Sequence, residues 1–190
     1  MKKFLLLLFS VISFALSAAS AAEDKYLAAA EKGDAEAQFN LGLCYYKGDG
    51  VAKDLKQALS WWRKAADQGV VDAQLNLGLC YYIGDGVAKD LKQAVYWLRK
   101  AADQGNEKAQ FLLGVCYHYG DGVVKDPKQA VAWYRKAADQ GLALAQYFLG
   151  VCYYIGDGVE NDLKQAVYWY RKAADQGLAE AKKALKDLGY

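Results

Sequence analysis

The chain of 190 residues contains no threonine, one histidine (His118), one proline (Pro127) and no methionine after Met1. Beyond Ser20 it holds a single serine, Ser60. Nucleophilic catalysis needs a nucleophile and a base within hydrogen-bond reach of each other, and little here can supply the pair. Ser60 is followed by Trp-Trp-Arg-Lys, so it does not form the Ser-x-x-Lys of penicillin-recognising enzymes. His118 stands two residues from Cys116, and positions i and i+2 of a helix point to different faces. An excess of one charge is missing as well, with 24 basic and 22 acidic residues, and two of the basic ones are Lys2 and Lys3. A nearly neutral chain has no basic face for phosphates, which excludes nucleic acid as a partner. The loops written Gly-Asp-Gly-Val-Ala-Lys-Asp offer two acids and no bidentate glutamate, too few ligands for calcium. No catalytic residue, metal site or cofactor is therefore expected.

The opening stretch, MKKFLLLLFSVISFALSAASA, has a basic start, a short apolar run from Phe4 to Leu16 and small residues at Ala19-Ser20-Ala21. That pattern predicts a secretory signal peptide over residues 1–21, cleaved after Ala21, with an uncleaved anchor as the competing reading. The run falls short of the ~20 residues that span a bilayer comfortably. No cysteine follows the cleavage point, which speaks against a lipid anchor. Loss of Lys2 and Lys3 would level the basic and acidic counts. The expected location is the periplasm or the medium of a bacterium, with no stable membrane anchor after cleavage.

What the chain does have is repetition. Cys44, Cys80, Cys116 and Cys152 stand 36 residues apart, and the same step links Trp61, Trp97, Trp133 and Trp169. Four units follow, 37–72, 73–108, 109–144 and 145–180, without insertions. Each predicts two helices. The first has apolar residues at helical spacing, as at Ala37, Leu41, Cys44 and Tyr45, and stops at Gly-Asp-Gly, where Gly48 or Gly50 can take a positive φ. The second opens on an N-capping Asp54 with Gln57 three residues on, and ends at Gly69. In the third unit Pro127 follows the capping Asp126, where a missing N–H costs least. Residues 22–36 and 181–190 read as capping helices, since Lys25 replaces the tryptophan and Lys186 replaces Gly42 of the repeat.

The pattern carried by Ala37, Leu41, Gly42, Tyr45, Gly48, Gly50, Val51, Asp54, Ala58, Lys64, Ala65, Ala66 and Gly69 resembles the Sel1-like repeat, a relative of the tetratricopeptide repeat. The resemblance implies an all-α fold, an α/α superhelical solenoid of four 36-residue helix-turn-helix repeats with helical caps at both ends. It also implies first helices lining a concave side, and a role in protein–protein contacts. One branch of that family, the cysteine-rich proteins of Helicobacter, has been linked to penicillin binding and β-lactamase activity and pairs two cysteines per unit. Here "AAD" stands at Asp67, Asp103, Asp139 and Asp175 where that branch has "AAC", so its disulfide pattern is absent. Equivalent thiols on neighbouring helices, ~8–10 Å apart, are too distant for a disulfide or a shared zinc. The cysteines read as small apolar filler.

The other face of the first helices is apolar where a solvated face would be polar. Its four rows are Phe39, Leu75, Phe111, Tyr147; Leu43, Leu79, Val115, Val151; Tyr46, Tyr82, His118, Tyr154; and Lys47, Ile83, Tyr119, Ile155. Curvature of the solenoid could bury these rows, or leave them open as a groove, and large exposed apolar patches mark binding surfaces. The expected function is a non-catalytic scaffold of the bacterial cell envelope that binds a protein or peptide through this concave aromatic face. A hydrolase acting on cell-wall or β-lactam substrates, by analogy to the Helicobacter branch, and a self-associating solenoid are the alternatives.

Overall fold

The computed structural model describes residues 25–190, and the expected signal peptide with its cleavage point lies outside them. The described residues fold into helices joined by turns. They are α1 (25–31), α2 (Ala35–Lys47), α3 (Leu55–Asp67), α4 (Val71–Ile83), α5 (Leu91–Asp103), α6 (Glu107–Tyr119), α7 (Pro127–Asp139), α8 (Ala143–Ile155), α9 (Leu163–Asp175) and α10 (Ala179–Asp187). The chain divides into two compact units, Met1–Ala88 with α1 to α4 and Lys89–Tyr190 with α5 to α10. In the first, α2 packs on α3 and α3 on α4; in the second, each helix from α5 to α10 packs on the next. The first helix of the repeat begins at Ala35, inside the stretch expected as a cap, and the last helix runs Ala179–Asp187 rather than 181–190.

Local chemistry sets the ends. Asp54 Oδ1 accepts from the N–H groups of Lys56 and Gln57 at 2.9 and 3.1 Å, satisfying donors that a helix start leaves unpaired. Asp90, Asp126 and Asp162 cap α5, α7 and α9 in the same way, with Pro127 opening α7. At the far end of α3, Gly69 donates to Ala66 O and Val70 to Ala65 O, the paired bonds of a Schellman motif, with Gly69 at φ +97°. First helices end differently. Gly48 at φ +75° donates back to Cys44 O, and Gly50 at +74° turns the chain again, so both glycines of Gly-Asp-Gly need the left-handed region.

The second glycine of that turn also needs its bare Cα for space. A Cβ on Gly86 would stand 2.6 Å from Leu55 Cβ, and one on Gly122 or Gly158 would strike the backbone carbonyl of Leu91 or Pro127. Each turn thus sits on the opening residue of an earlier second helix. A second close approach joins the two helices of a repeat. A Cβ at Gly42 would lie 2.6 Å from Trp62 Nε1, at Gly114 2.6 Å from Tyr134 Cδ1, and at Gly150 2.7 Å from Tyr170 Cδ1. The rings beneath these glycines are among the most buried in the protein, Trp62 at 2% and Tyr134 at 0% exposed.

Around these contacts the core is alanine, leucine and cysteine, with Trp61 closing the first unit against Tyr26, Leu27 and Tyr45. Four glutamines, Gln38, Gln74, Gln110 and Gln146, lie inside it. Gln38 is buried, donates to Ala30 O at 3.0 Å, and accepts from Gln68 Nε2 at 2.8 Å. In the second unit Gln110 and Gln146 repeat the arrangement, donating to Ala102 O and Ala138 O and accepting from Gln140 and Gln176. A buried amide is tolerated because both its ends are bonded.

All four cysteines are free and buried. Burial is the main cause that raises each thiol above its ordinary range, to about 11 for Cys80 and about 12 for Cys116 and Cys152. Cys44 is raised as well, by burial and then by Asp49. Thiols held so high are protonated at neutral pH and poor nucleophiles. Two outcomes follow from this packing. Thiol titration should find all four groups in denaturant without reductant, and labelling of the native protein at pH 8 should be at least tenfold slower than that of free cysteine. Gly114→Ala should lower unfolding stability by ~1–3 kcal/mol through overpacking, and by much less when Tyr134 is already alanine, as a double-mutant cycle in denaturant would measure.

Candidate functional site

The four apolar rows of the first helices do not share one environment. Leu75 is buried, at 8% exposed, and offers no surface to a partner. Phe111 and Val115 pack against the core of the second unit. The Phe111 ring lies 5.7 Å from Tyr134 and 5.3 Å from Phe148, and Tyr147 lies 5.7 Å from Tyr170. The first row was expected to face a ligand, yet Phe111 and Tyr147 rest on the rings beneath the close-packed glycines, because the small glycine lets its large neighbours reach the partner helix. Phe39, Leu43, Leu79, Tyr82 and Val151 are half-buried.

The third row holds turns. Tyr46 tilts over Trp62 at 5.1 Å, and its hydroxyl donates to Asp85 Oδ2 at 3.1 Å. That bond, followed by burial, raises the Tyr46 phenol above its ordinary range. In the second unit His118 Nδ1 lies 3.2 Å from Asp157 Oδ2, an ion-pair contact when the ring is protonated, without an aligned hydrogen bond. The aspartate of Gly-Asp-Gly is therefore more than a turn residue. It receives the third-row side chain of the preceding repeat, so the Tyr46 hydroxyl is already engaged and not free for a peptide backbone. Tyr154 of the same row is 46% exposed.

The fourth row is the open one. Lys47 is exposed, and Ile83, Tyr119 and Ile155 are 64%, 61% and 58% exposed. Water covers these branched and aromatic side chains at the last turn of each first helix, beside the Gly-Asp-Gly turn. In the first unit the row borders a cleft of about 290 Å³ between α2 and α4, walled by Leu43, Tyr46, Leu79 and Ile83, with Lys47, Asn76 and Asp85 as polar groups.

Two sets of residues escaped the sequence reading. The buried glutamines recur at the 36-residue step, which was a visible signal, but a helical glutamine ordinarily reads as solvated. The second set clips consecutive repeats together: Arg63 donates to the Tyr81 hydroxyl, Arg99 to Tyr117 at 2.6 Å, and Arg135 to Tyr153. Each guanidinium also lies 5.6–5.8 Å from the ring it serves. Among the described residues no group of three or more histidine, cysteine or acidic side chains is placed to hold a metal ion. No helix among them is long and apolar enough to cross a membrane.

The family model of the Sel1 repeat matches residues 35–70, 71–106, 107–142 and 143–178. No curated protein sequence matches the chain. Solved structures do. A protective antigen of uropathogenic Escherichia coli strains, displaying an SLR fold, is 45% identical over 85% of this chain, with a TM-score of 0.83. A Sel1 repeat protein from Oxalobacter formigenes is 43% identical over 84% of it, with a TM-score of 0.79. The chain spans 35% of the first protein and 65% of the second. An immunity protein from Pseudomonas aeruginosa is 30% identical over 86% of this chain and 61% of its own, with a TM-score of 0.52. The helical pairs, the 36-residue period and the glycines that let them close are those of an α/α solenoid, and the chain belongs to the Sel1 repeat family.

Proposed function

We propose that this protein is a non-catalytic scaffold of the bacterial cell envelope that binds a protein or peptide through the exposed ends of its first helices. Sel1 repeat proteins typically mediate protein–protein contacts, and the similarity to an immunity protein is in keeping with a protein partner. The observation that carries the reading is the fourth row. Ile83, Tyr119 and Ile155 stand more than half exposed and are the most exposed of the large apolar side chains on their helices. Covering the part of such a side chain that water still reaches would contribute ~1–2 kcal/mol to binding. Half-buried Leu43 and Leu79 accompany Ile83 in the first unit and Val151 accompanies Ile155 in the second, whereas Leu75 is buried and Phe111 and Tyr147 pack on rings of their own unit. The leader-like start of the chain supports export, with the processed protein beginning at Ala22.

Ile83→Lys and Ile155→Lys test the surface without touching the core. Used as bait in an envelope extract, the double variant should lose at least tenfold of a partner that the wild type retains, with unchanged circular dichroism. Tyr96→Lys and Tyr168→Lys, at exposed positions of α5 and α9, should retain it. The reverse pattern would move the contact to the second helices. Intact mass of the protein from a periplasmic fraction should correspond to a chain starting at Ala22, and a full-length mass in the cytoplasmic fraction would remove the envelope assignment.

A further inference from the structure

Two repeats separate Asn76 on α4 from Phe148 on α8, and the same step leads from Trp62 on α3 to Tyr134 on α7. In the second unit Phe148 lies 5.6 Å from the Tyr134 ring and 5.3 Å from Phe111. With Val115 it packs on the core that holds Tyr134 and Cys152. The chain thus fills this place with a benzyl group of its own. In the first unit the corresponding place is the cleft of about 290 Å³, bordered by Leu43, Trp62 and Cys80, the counterparts of Val115, Tyr134 and Cys152. Asn76 is too short to do there what Phe148 does. Its side chain stands half-buried at an apolar wall, and among the described residues its amide has no hydrogen-bond partner. The carboxylate of Asp85, on the same cleft, already accepts from the Tyr46 hydroxyl.

An apolar recess beside an unmet amide is completed by a peptide, which brings an apolar side chain for the recess and a backbone group for the amide. A cavity of ~150 Å³ holds a benzene ring, so a recess of 290 Å³ admits one. Aromatic side chains seated in such pockets carry much of the energy of a protein interface. If the first-helix ends meet a partner, as proposed for Ile83, this cleft is where its anchor enters: we propose that the cleft between α2 and α4 takes a phenylalanine side chain of a protein partner, in the place that Phe148 fills in the second unit, with the Asn76 amide bonding the backbone beside it. Ile83, on the wall of the cleft, is then covered by the residues that flank the anchor.

N-acetylphenylalaninamide is the probe, and N-acetylalaninamide its control. The first should move the side-chain amide resonances of Asn76 and the methyl resonances of Leu43 and Leu79 with roughly tenfold higher affinity than the second, the weight of one buried ring. Asn76→Phe supplies the ring from within and should weaken the probe about as much, read from the methyl groups. Asn76→Leu, which copies Leu112 of the third repeat, should do the same and stands in where the larger ring is not accommodated. Equal affinity for the two probes, or a phenylalanine probe held by both variants as well as by the wild type, would overturn the proposal. A partner lost by Ile83→Lys but kept undiminished by Asn76→Phe would also overturn it and leave the contact surface standing. A partner kept by Ile83→Lys but lost by Asn76→Phe would remove the surface and leave the anchor.

Discussion

A methyl group cannot be added to Gly42, Gly114 or Gly150 without entering the ring of Trp62, Tyr134 or Tyr170. That close approach fixes how the two helices of a repeat meet. With the backbone of the first helix set against a flat ring, its rotation about its own axis is no longer free. Leu41, Cys44 and their equivalents are turned inward, and the positions flanking the glycine are pressed onto the same ring from the side. The apolar rows are graded by this geometry. Row one lies near the glycine and is buried or half-buried, whereas row four lies at the helix end, more than a turn beyond it, and is exposed.

Hydrophobic contact alone would let packed helices slide, since it is non-directional. Directional groups remove that freedom. Gln38 ties the first helix to the Ala30 carbonyl behind it and to Gln68 at the end of its own partner. The arginine clip bonds a second helix to the tyrosine of the next first helix, and Asp85 receives Tyr46. The glutamine and arginine links recur with the repeat, and the Tyr46–Asp85 bond reaches from α2 to the turn after α4. The second glycine of the turn then seats the loop on the start of an earlier helix, where any side chain would collide.

Much of this was legible beforehand. The 36-residue step, the aspartate caps, Pro127 at a helix start and the glycines at helix ends are local signals, and the structure places each where its chemistry required. The burial of Leu75 and the engagement of Tyr46 and His118 were not legible. Periodicity tells which side of a helix a residue occupies but not how far a neighbour reaches over it. Tyr46 finds its acceptor 39 residues away, in a turn that sequence alone presents as mere punctuation. Gln38 escaped for a related reason: the acceptor it meets is the Ala30 backbone carbonyl, which leaves no mark in the residue pattern.

Differences among the four copies sharpen the division between frame and surface. Positions whose neighbours leave no room are the same in every copy: Leu41, Gly42, Cys44, Ala58, Ala65 and the buried glutamine. The fourth row changes from Lys47 to Ile83, Tyr119 and Ile155, and the outer position of the second helix from Ser60 to Tyr96, Ala132 and Tyr168. A buried exception is instructive. Trp62 is replaced by Leu98, Tyr134 and Tyr170, although all four are covered. What must be kept there is the glycine opposite, not the shape beneath it. In the second unit the ring can differ because the adjoining first-row residue differs with it, Phe111 against Tyr134 and Tyr147 against Tyr170. Variation in this protein therefore has two causes, compensation inside the core and freedom at the helix ends, and the second can tune what the surface binds.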